Sequence, residues 1–191
     1  MAEKRRWPLE EVRQVANALK ATLANACEVI EIAGSVRRQR RDPGDIELLV
    51  VPRSEQRGNY DLLGAAPQTN VDLLNEALQR LLGRHVLEKR KLASGRYAGY
   101  GTLNKYLVHV ESDIPVDIFS ASMDNFGMAL LVRTGPAEFC IKVMSRLRNL
   151  GYEDHAYGGV TLLDGSEVNC PDEATVFRLL DWAYIPPEKR F

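Results

Sequence analysis

The sequence predicts an α/β fold, α+β by another convention: a small mixed β-sheet with helices on one face, followed by a mainly helical C-terminal subdomain. Three observations predict it. Apolar residues recur at helical spacing over the first 23 residues, the nearly continuous apolar run Ile46 to Val51 reads as a buried strand, and the pattern turns helical after Ser122. A chain of 191 residues, 45% hydrophobic and 27% charged, has room for a sizeable core in one domain or two small ones, which excludes disorder as its main state.

Val12, Val15, Ala16, Leu19 and Leu23 follow one another at intervals that keep them on one side of a helix. Pro8 suits its first position, and Glu10 and Glu11 its first turn. A strand over Glu28 to Ala33 is interrupted by Gly34-Ser35, a basic stretch runs to Gly44, and a second strand spans Asp45 to Val51 before Pro52 stops it. Residues 53 to 68, with Gly58, Asn59, Gly64 and Pro67, have the composition of a loop. Thr69-x-x-Asp72 then offers a capping signal for a helix with Leu74, Ala77, Leu78, Leu81 and Leu82 on one face, ending near Gly83. Segments 103–111 and 115–121 alternate as strands do, and Ser112-Asp113 between them predicts a tight antiparallel hairpin with Asp117 in its second strand. Helices follow at Phe126 to Val132, Pro136 to Leu150 and Asp172 to Trp182. A boundary near 121 divides the chain into 1–121 and 122–191.

Charge and cysteines narrow the setting. The net charge is only −1, but Arg37, Arg38, Arg40 and Arg41 form one basic cluster, and Arg84, Lys89, Arg90, Lys91 and Arg96 form another. An acidic site elsewhere cancels both in the sum. Cys27, Cys140 and Cys170 are odd in number and far apart, so neither a disulfide framework nor a zinc site is expected. A reducing, intracellular setting fits best. No apolar leader and no run of about 18 apolar residues is present, so neither export nor a membrane span is inferred.

Asp45 and Glu47 sit one residue apart in an apolar strand, so both carboxylates project from the same face. Two anions on a half-buried surface raise each other's pKa unless a hard, oxygen-seeking cation such as Mg²⁺ neutralises them. Asp117 supplies a third carboxylate if its strand lies beside theirs. Three such groups can hold two metals about 3.5–4 Å apart, an arrangement suited to phosphoryl or nucleotidyl displacement. Just upstream, Gly34 and Ser35 break a strand before a segment able to begin as a helix, where free N–H groups meet phosphate oxygens. Arg38 can add charge-assisted contacts to the same phosphates.

The run Gly34-Ser35-Val36-Arg37-Arg38, followed by Gly44-Asp45-Ile46-Glu47-Leu48-Leu49-Val50, resembles the signature of the DNA polymerase β superfamily, and family X most closely. Phe126-Gly127, Arg133-Thr134-Gly135 and Glu138-Phe139 resemble that family's nucleotide-binding segment, and Phe177 through Trp182 to Arg190 its C-terminal end. The resemblance implies a nucleotidyltransferase palm followed by a subdomain that closes over the nucleotide. It implies two Mg²⁺ ions, or Mn²⁺, on Asp45, Glu47 and Asp117, with Asp117 helping to activate a primer 3′-hydroxyl. Gly34, Ser35, Arg38 and Gly44 belong to the implied triphosphate site, and Thr134 and Gly135 lie against the nucleotide sugar. The implied partners are DNA primer/template and dNTP, the implied setting is gap filling or repair, and a monomer suffices.

Two departures and one further expectation stand out. Glu47 replaces the family's usual Asp, which lengthens the ligand arm and predicts slow catalysis or a preference for Mn²⁺. Val132-Arg133 stand where two aromatic residues are usual, which frees Arg133 to contact phosphate or base and leaves sugar selectivity open. Pro136 after Thr134-Gly135 predicts a cis Gly135-Pro136 bond, since a tertiary amide lowers the cost of cis to about 0.5–1 kcal/mol. The chain begins with a single helix before the palm pattern, so lyase chemistry is not expected. Template-independent or small-molecule nucleotidyl transfer, and a non-catalytic nucleic-acid-binding module, are the alternative readings. For Arg37, Arg40 and Arg41 a solvated face and a DNA contact stand equal. His85, His109 and His155 show no ligand spacing, and Trp7 and Trp182 read as packing residues. Tyr97, Tyr100 and Tyr106, interleaved with Lys and Arg, permit base stacking, with strand and loop packing the stronger expectation.

Overall fold

The structure, a computed structural model, describes residues 5–58, 68–155 and 159–191. Helix α1 (Leu9–Leu23) buries Val12, Ala16, Leu19 and Leu23, the residues whose spacing predicts it. Fully burying each Val or Leu contributes roughly 1.5–3 kcal/mol. Pro8 is the N-cap and not the first helical residue: its ψ of 137° is extended. A 3₁₀ turn over Ala24–Ala26 leads into β1 (Cys27–Ile32), then α2 (Gly34–Arg37) and β2 (Ile46–Pro52). Asp45 therefore precedes its strand by one residue.

Part of the expected loop is ordered as strand. β3 (Ser54–Arg57) pairs antiparallel with β4 (Thr69–Asp72), while residues 59–67 of the expected loop lie outside the described residues. Every residue of β3 is exposed, so it carries no apolar alternation to betray it. Thr69 is thus a strand residue. The cap of α3 (Leu73–Gly83) is Asp72, whose side chain accepts a hydrogen bond from the Asn75 N–H at 2.9 Å. β5 (Leu87–Lys89) lies in the second basic stretch, where its charges conceal it. β6 (Asn104–His109) and β7 (Ile114–Ser120) form the expected hairpin, with Asp113 at φ +60° in its turn.

Five strands make one sheet in the order β1-β2-β7-β6-β5. β2 and β7 run parallel and the other neighbours antiparallel, so the sheet is mixed as expected. Alternation along β2 and β7 divides the sheet into two faces. Ile46, Leu48, Val50, Val116 and Ile118 pack with α1 and α3 in one core. Leu49, Val51 and Phe119 pack on the other face against Phe126, Ala129 and Leu130 of α4 (Phe126–Thr134). Helices thus cover both faces, not one. The sequence conceals this because α4 is apolar nearly all round: its Met128 and Leu131 belong to a third core.

That third core joins α4 to α5 (Ala137–Asn149) and α6 (Glu173–Leu179) through Phe139, Val143, Leu147, Val176 and Phe177. A small hairpin, β8 (Tyr152–Asp154) and β9 (Val160–Leu162), is added to the expected helices. Asp172 caps α6 by accepting from the Thr175 N–H at 2.7 Å. Trp7 is buried in the first core and Trp182 packs against the third, so both are packing residues. Among the described residues no helix is long and apolar enough to cross a membrane.

Candidate active site

The parallel register of β2 and β7 sets Glu47 directly beside Asp117, and the antiparallel register of β6 and β7 sets Tyr106 on the far side of Asp117. Asp45, two residues before Glu47, shares that face by the period of two. Asp45, Glu47 and Asp117 are all partly buried. Burial, then the charges of Asp45 and Asp117, push the Glu47 carboxyl up to about 7, while the charges of Arg133 and Arg38 oppose the rise. The three expected acids are therefore neighbours on one face and repel one another.

Each acid has a distinct surrounding. The Glu47 side chain lies against Gly34, where an added Cβ would stand 1.8 Å from Oε2. Gly34 also has φ +62°, so space and backbone both demand glycine. The Ala33 N–H donates to the Glu47 carbonyl at 2.8 Å, which ties the turn to the strand. Asp117 Oδ1 is 2.9 Å from Arg90 Nη2. The Arg90 guanidinium lies 4.9 Å from the Tyr106 ring centre, Tyr106 meets Phe119 edge to face at 6.2 Å, and Arg133 lies 3.6 Å from the Phe119 ring centre. Two arginines thus bracket two aromatic rings beside the acids.

On the other side, α2 begins at Gly34-Ser35 and presents the start of a single helical turn. Ser35 Oγ is buried and has no hydrogen-bond partner among the described residues. The Arg38 guanidinium donates to the Thr134 carbonyl. Ser35 and Arg38 line a cavity of about 600 Å³ together with Arg6, Arg40 and Glu188. Arg6, held by a hydrogen bond to the Asp42 carbonyl at 3.0 Å, carries no motif signal. Gly44 is buried just before Asp45.

Thr134 is fully buried and its hydroxyl accepts from Arg37 Nη1 at 2.9 Å. Gly135 has φ +63°, and the Gly135-Pro136 bond is cis, as expected. Arg37 belongs to neither a solvated face nor an open DNA surface: it also grips Glu173, and its partner lies 136 residues away, beyond the reach of local pattern. Arg40 and Arg41 are exposed. His109 bonds Ser112 and His155 bonds Thr161, each at 2.8 Å, which are local structural contacts. Tyr100 and Tyr106 are partly buried and pack, whereas Tyr97 is 61% exposed.

Among the described residues no group of three or more His, Cys, Asp or Glu side chains stands ready-made at cation-holding distance. Glu47 lies against Gly34, and Asp117 Oδ1 is paired with Arg90. In kind, the donors still fit a hard divalent cation. They are carboxylate oxygens close to one another at β2 and β7, and the repulsion that adds to burial in raising Glu47 is what such a cation relieves.

A family model described as DNA polymerase beta palm matches residues 6–123, well over half the chain. The chain belongs to this family. A second, described as DNA polymerase beta thumb, matches residues 129–191. No curated protein matches the chain. Palm and thumb together identify a family X polymerase-like nucleotidyltransferase, with the five-stranded mixed sheet in the palm and the core of α4, α5 and α6 largely in the thumb.

Proposed function

We propose that this family X-like chain adds a nucleoside monophosphate from dNTP to a primer 3′-hydroxyl on DNA, in gap filling or repair, with release of pyrophosphate. The observation that carries the reading is the register of β2 and β7, which sets Glu47 beside Asp117 next to the Gly34-Ser35 turn. Asp45, Glu47 and Asp117 would hold two Mg²⁺ or Mn²⁺ ions, which supply Lewis-acid stabilisation of the charge on the reacting phosphate and leaving group.

The chain's own residues supply position and charge. Asp117, with one oxygen toward Arg90, would draw the proton of the attacking hydroxyl. Ser35, Arg38 and the backbone N–H groups of α2 receive the triphosphate, with Arg6 and Arg40 adding positive charge around the same cavity. Gly135, with no side chain, lets the nucleotide sugar approach the α4–α5 junction. Arg133 stacks on Phe119, and its positive charge favours the ionised form of Glu47. The three cysteines are free thiols, which supports a reducing, cytoplasmic setting.

The test is extension of a labelled primer, alone and on gapped or recessed template, with each dNTP and rNTP in Mg²⁺ or Mn²⁺. Template-matched incorporation that is lost in Asp117→Ala supports the reading. Untemplated addition replaces it with terminal transfer, and absence of incorporation under every condition favours the binding module or small-molecule nucleotidyl transfer.

A further inference from the structure

Arg90 follows β5 at the edge of the sheet, yet its side chain reaches across β6 to Asp117 in β7. Its backbone is fixed from both sides. The Arg90 N–H donates to the Tyr106 carbonyl at 3.1 Å, and the Arg90 carbonyl accepts from the Ala98 N–H at 2.8 Å. Its guanidinium stacks over Tyr106 on the way, so the ion pair is prepared before any ligand arrives. Asp117 is 14% exposed and Arg90 25%, so the contact is screened less than a surface pair.

Charge counting gives this contact a role. Once Glu47 is ionised, Asp45, Glu47 and Asp117 carry three formal negative charges, and Arg38, Arg90 and Arg133 carry three positive ones. Two divalent cations and a nucleoside triphosphate of charge about −4 also cancel one another. Cations alone would leave a large positive surplus beside three arginines. We infer that Arg90 is the resident counter-cation of Asp117, so that the chain takes divalent cations weakly by themselves and readily only together with the triphosphate. The inference rests on the reading that these three acids hold the metals. Arg90 acts through Asp117 and is a positioning residue, not a catalytic one.

The test is Mn²⁺ titration of the full chain, with free ion read by electron paramagnetic resonance, for wild type, Arg90→Gln and Arg90→Lys. Without nucleotide, Arg90→Gln is expected to bind Mn²⁺ about tenfold more tightly, because a competing positive charge is gone. Arg90→Lys is expected to match wild type. With a non-hydrolysable dNTP analogue the difference between wild type and Arg90→Gln is expected to shrink. Unchanged or weaker Mn²⁺ binding by Arg90→Gln overturns the inference. If neither protein takes up Mn²⁺ even with the analogue, the metal assignment has failed, and a thermal double-mutant cycle of Arg90→Gln with Asp117→Asn decides the pair by itself. A smaller loss of melting temperature from Arg90→Gln in the Asp117→Asn background supports the counter-ion; additive losses overturn it.

Discussion

Glu173 at the start of α6 accepts hydrogen bonds from both terminal nitrogens of Arg37 in α2, Nη1 at 2.7 Å and Nη2 at 2.9 Å. Arg190 grips the same carboxylate at 2.7 and 2.9 Å, and the Tyr184 hydroxyl donates to it at 3.2 Å. Palm and thumb segments are therefore joined through one buried anion. Burial would raise the Glu173 carboxyl, but hydrogen bonds from Arg190 and Arg37 outweigh it and hold the group below its usual range.

Glu173→Ala leaves two guanidinium groups facing each other without their anion, Arg190 with none of its side chain exposed. Removing one partner of a buried pair costs about 3–5 kcal/mol. Urea unfolding of the two proteins measures it, and a loss under about 1 kcal/mol would show that the contact contributes little.

Glu47 gives the stability a pH signature. Folded Glu47 keeps its proton to about 7, against an ordinary value of 4.5, so the folded chain binds more protons than the unfolded one between those values. Its contribution is fully present below about 4.5 and is lost as the pH rises toward 7. Glu47→Gln is expected to reduce that fall, as read by urea midpoints across the window in the presence of a chelator. Equal slopes for the two proteins would refute the assignment.

Gly34→Ala places a methyl group 1.8 Å from Glu47 Oε2 at a positive φ. The carboxylate must move, so the variant is expected to lose primer extension by at least about a hundredfold, since a misplacement near 1 Å costs about that much. Stability is expected to fall by roughly 1–3 kcal/mol. Extension assays and thermal melts test the two effects, and near-wild-type extension would refute the first.

Gly127 is the matching close approach in α4. Its added Cβ would stand 2.1 Å from the Asp172 carbonyl carbon, and its N–H donates to the Cys170 carbonyl at 2.7 Å. Gly127→Ala must push α4 away from the loop that leads into α6, at a cost of about 1–3 kcal/mol or more. A melting temperature unchanged from wild type would contradict this contact.

The legible parts of the fold are those whose physics is local. The stripe from Val12 to Leu23, the apolar run of β2 and the turn at Ser112-Asp113 each carry their own period or punctuation, and each forms the expected element. β3 has no apolar residue and β5 has only Leu87 before Glu88 and Lys89, so pairing alone identifies them. The same holds in the site. Asp45, Glu47 and Asp117 announce themselves by strand context, whereas Arg90 is one basic residue among several until the sheet order carries it to Asp117. Glu173 likewise reads as a helix-start acid until α2 and α6 are brought together.

The alternation along β2 makes the site its own proofreader during folding. A slip of this strand by one residue would turn Glu47 toward α1 and α3 and place Ile46 and Leu48 on the acid face. Such a chain would strand a carboxylate in hydrocarbon and break its pairing with Asp117 in the same stroke. The register that closes the core is the register that assembles the acids, so a molecule that has folded stably has also been checked for a correctly built centre.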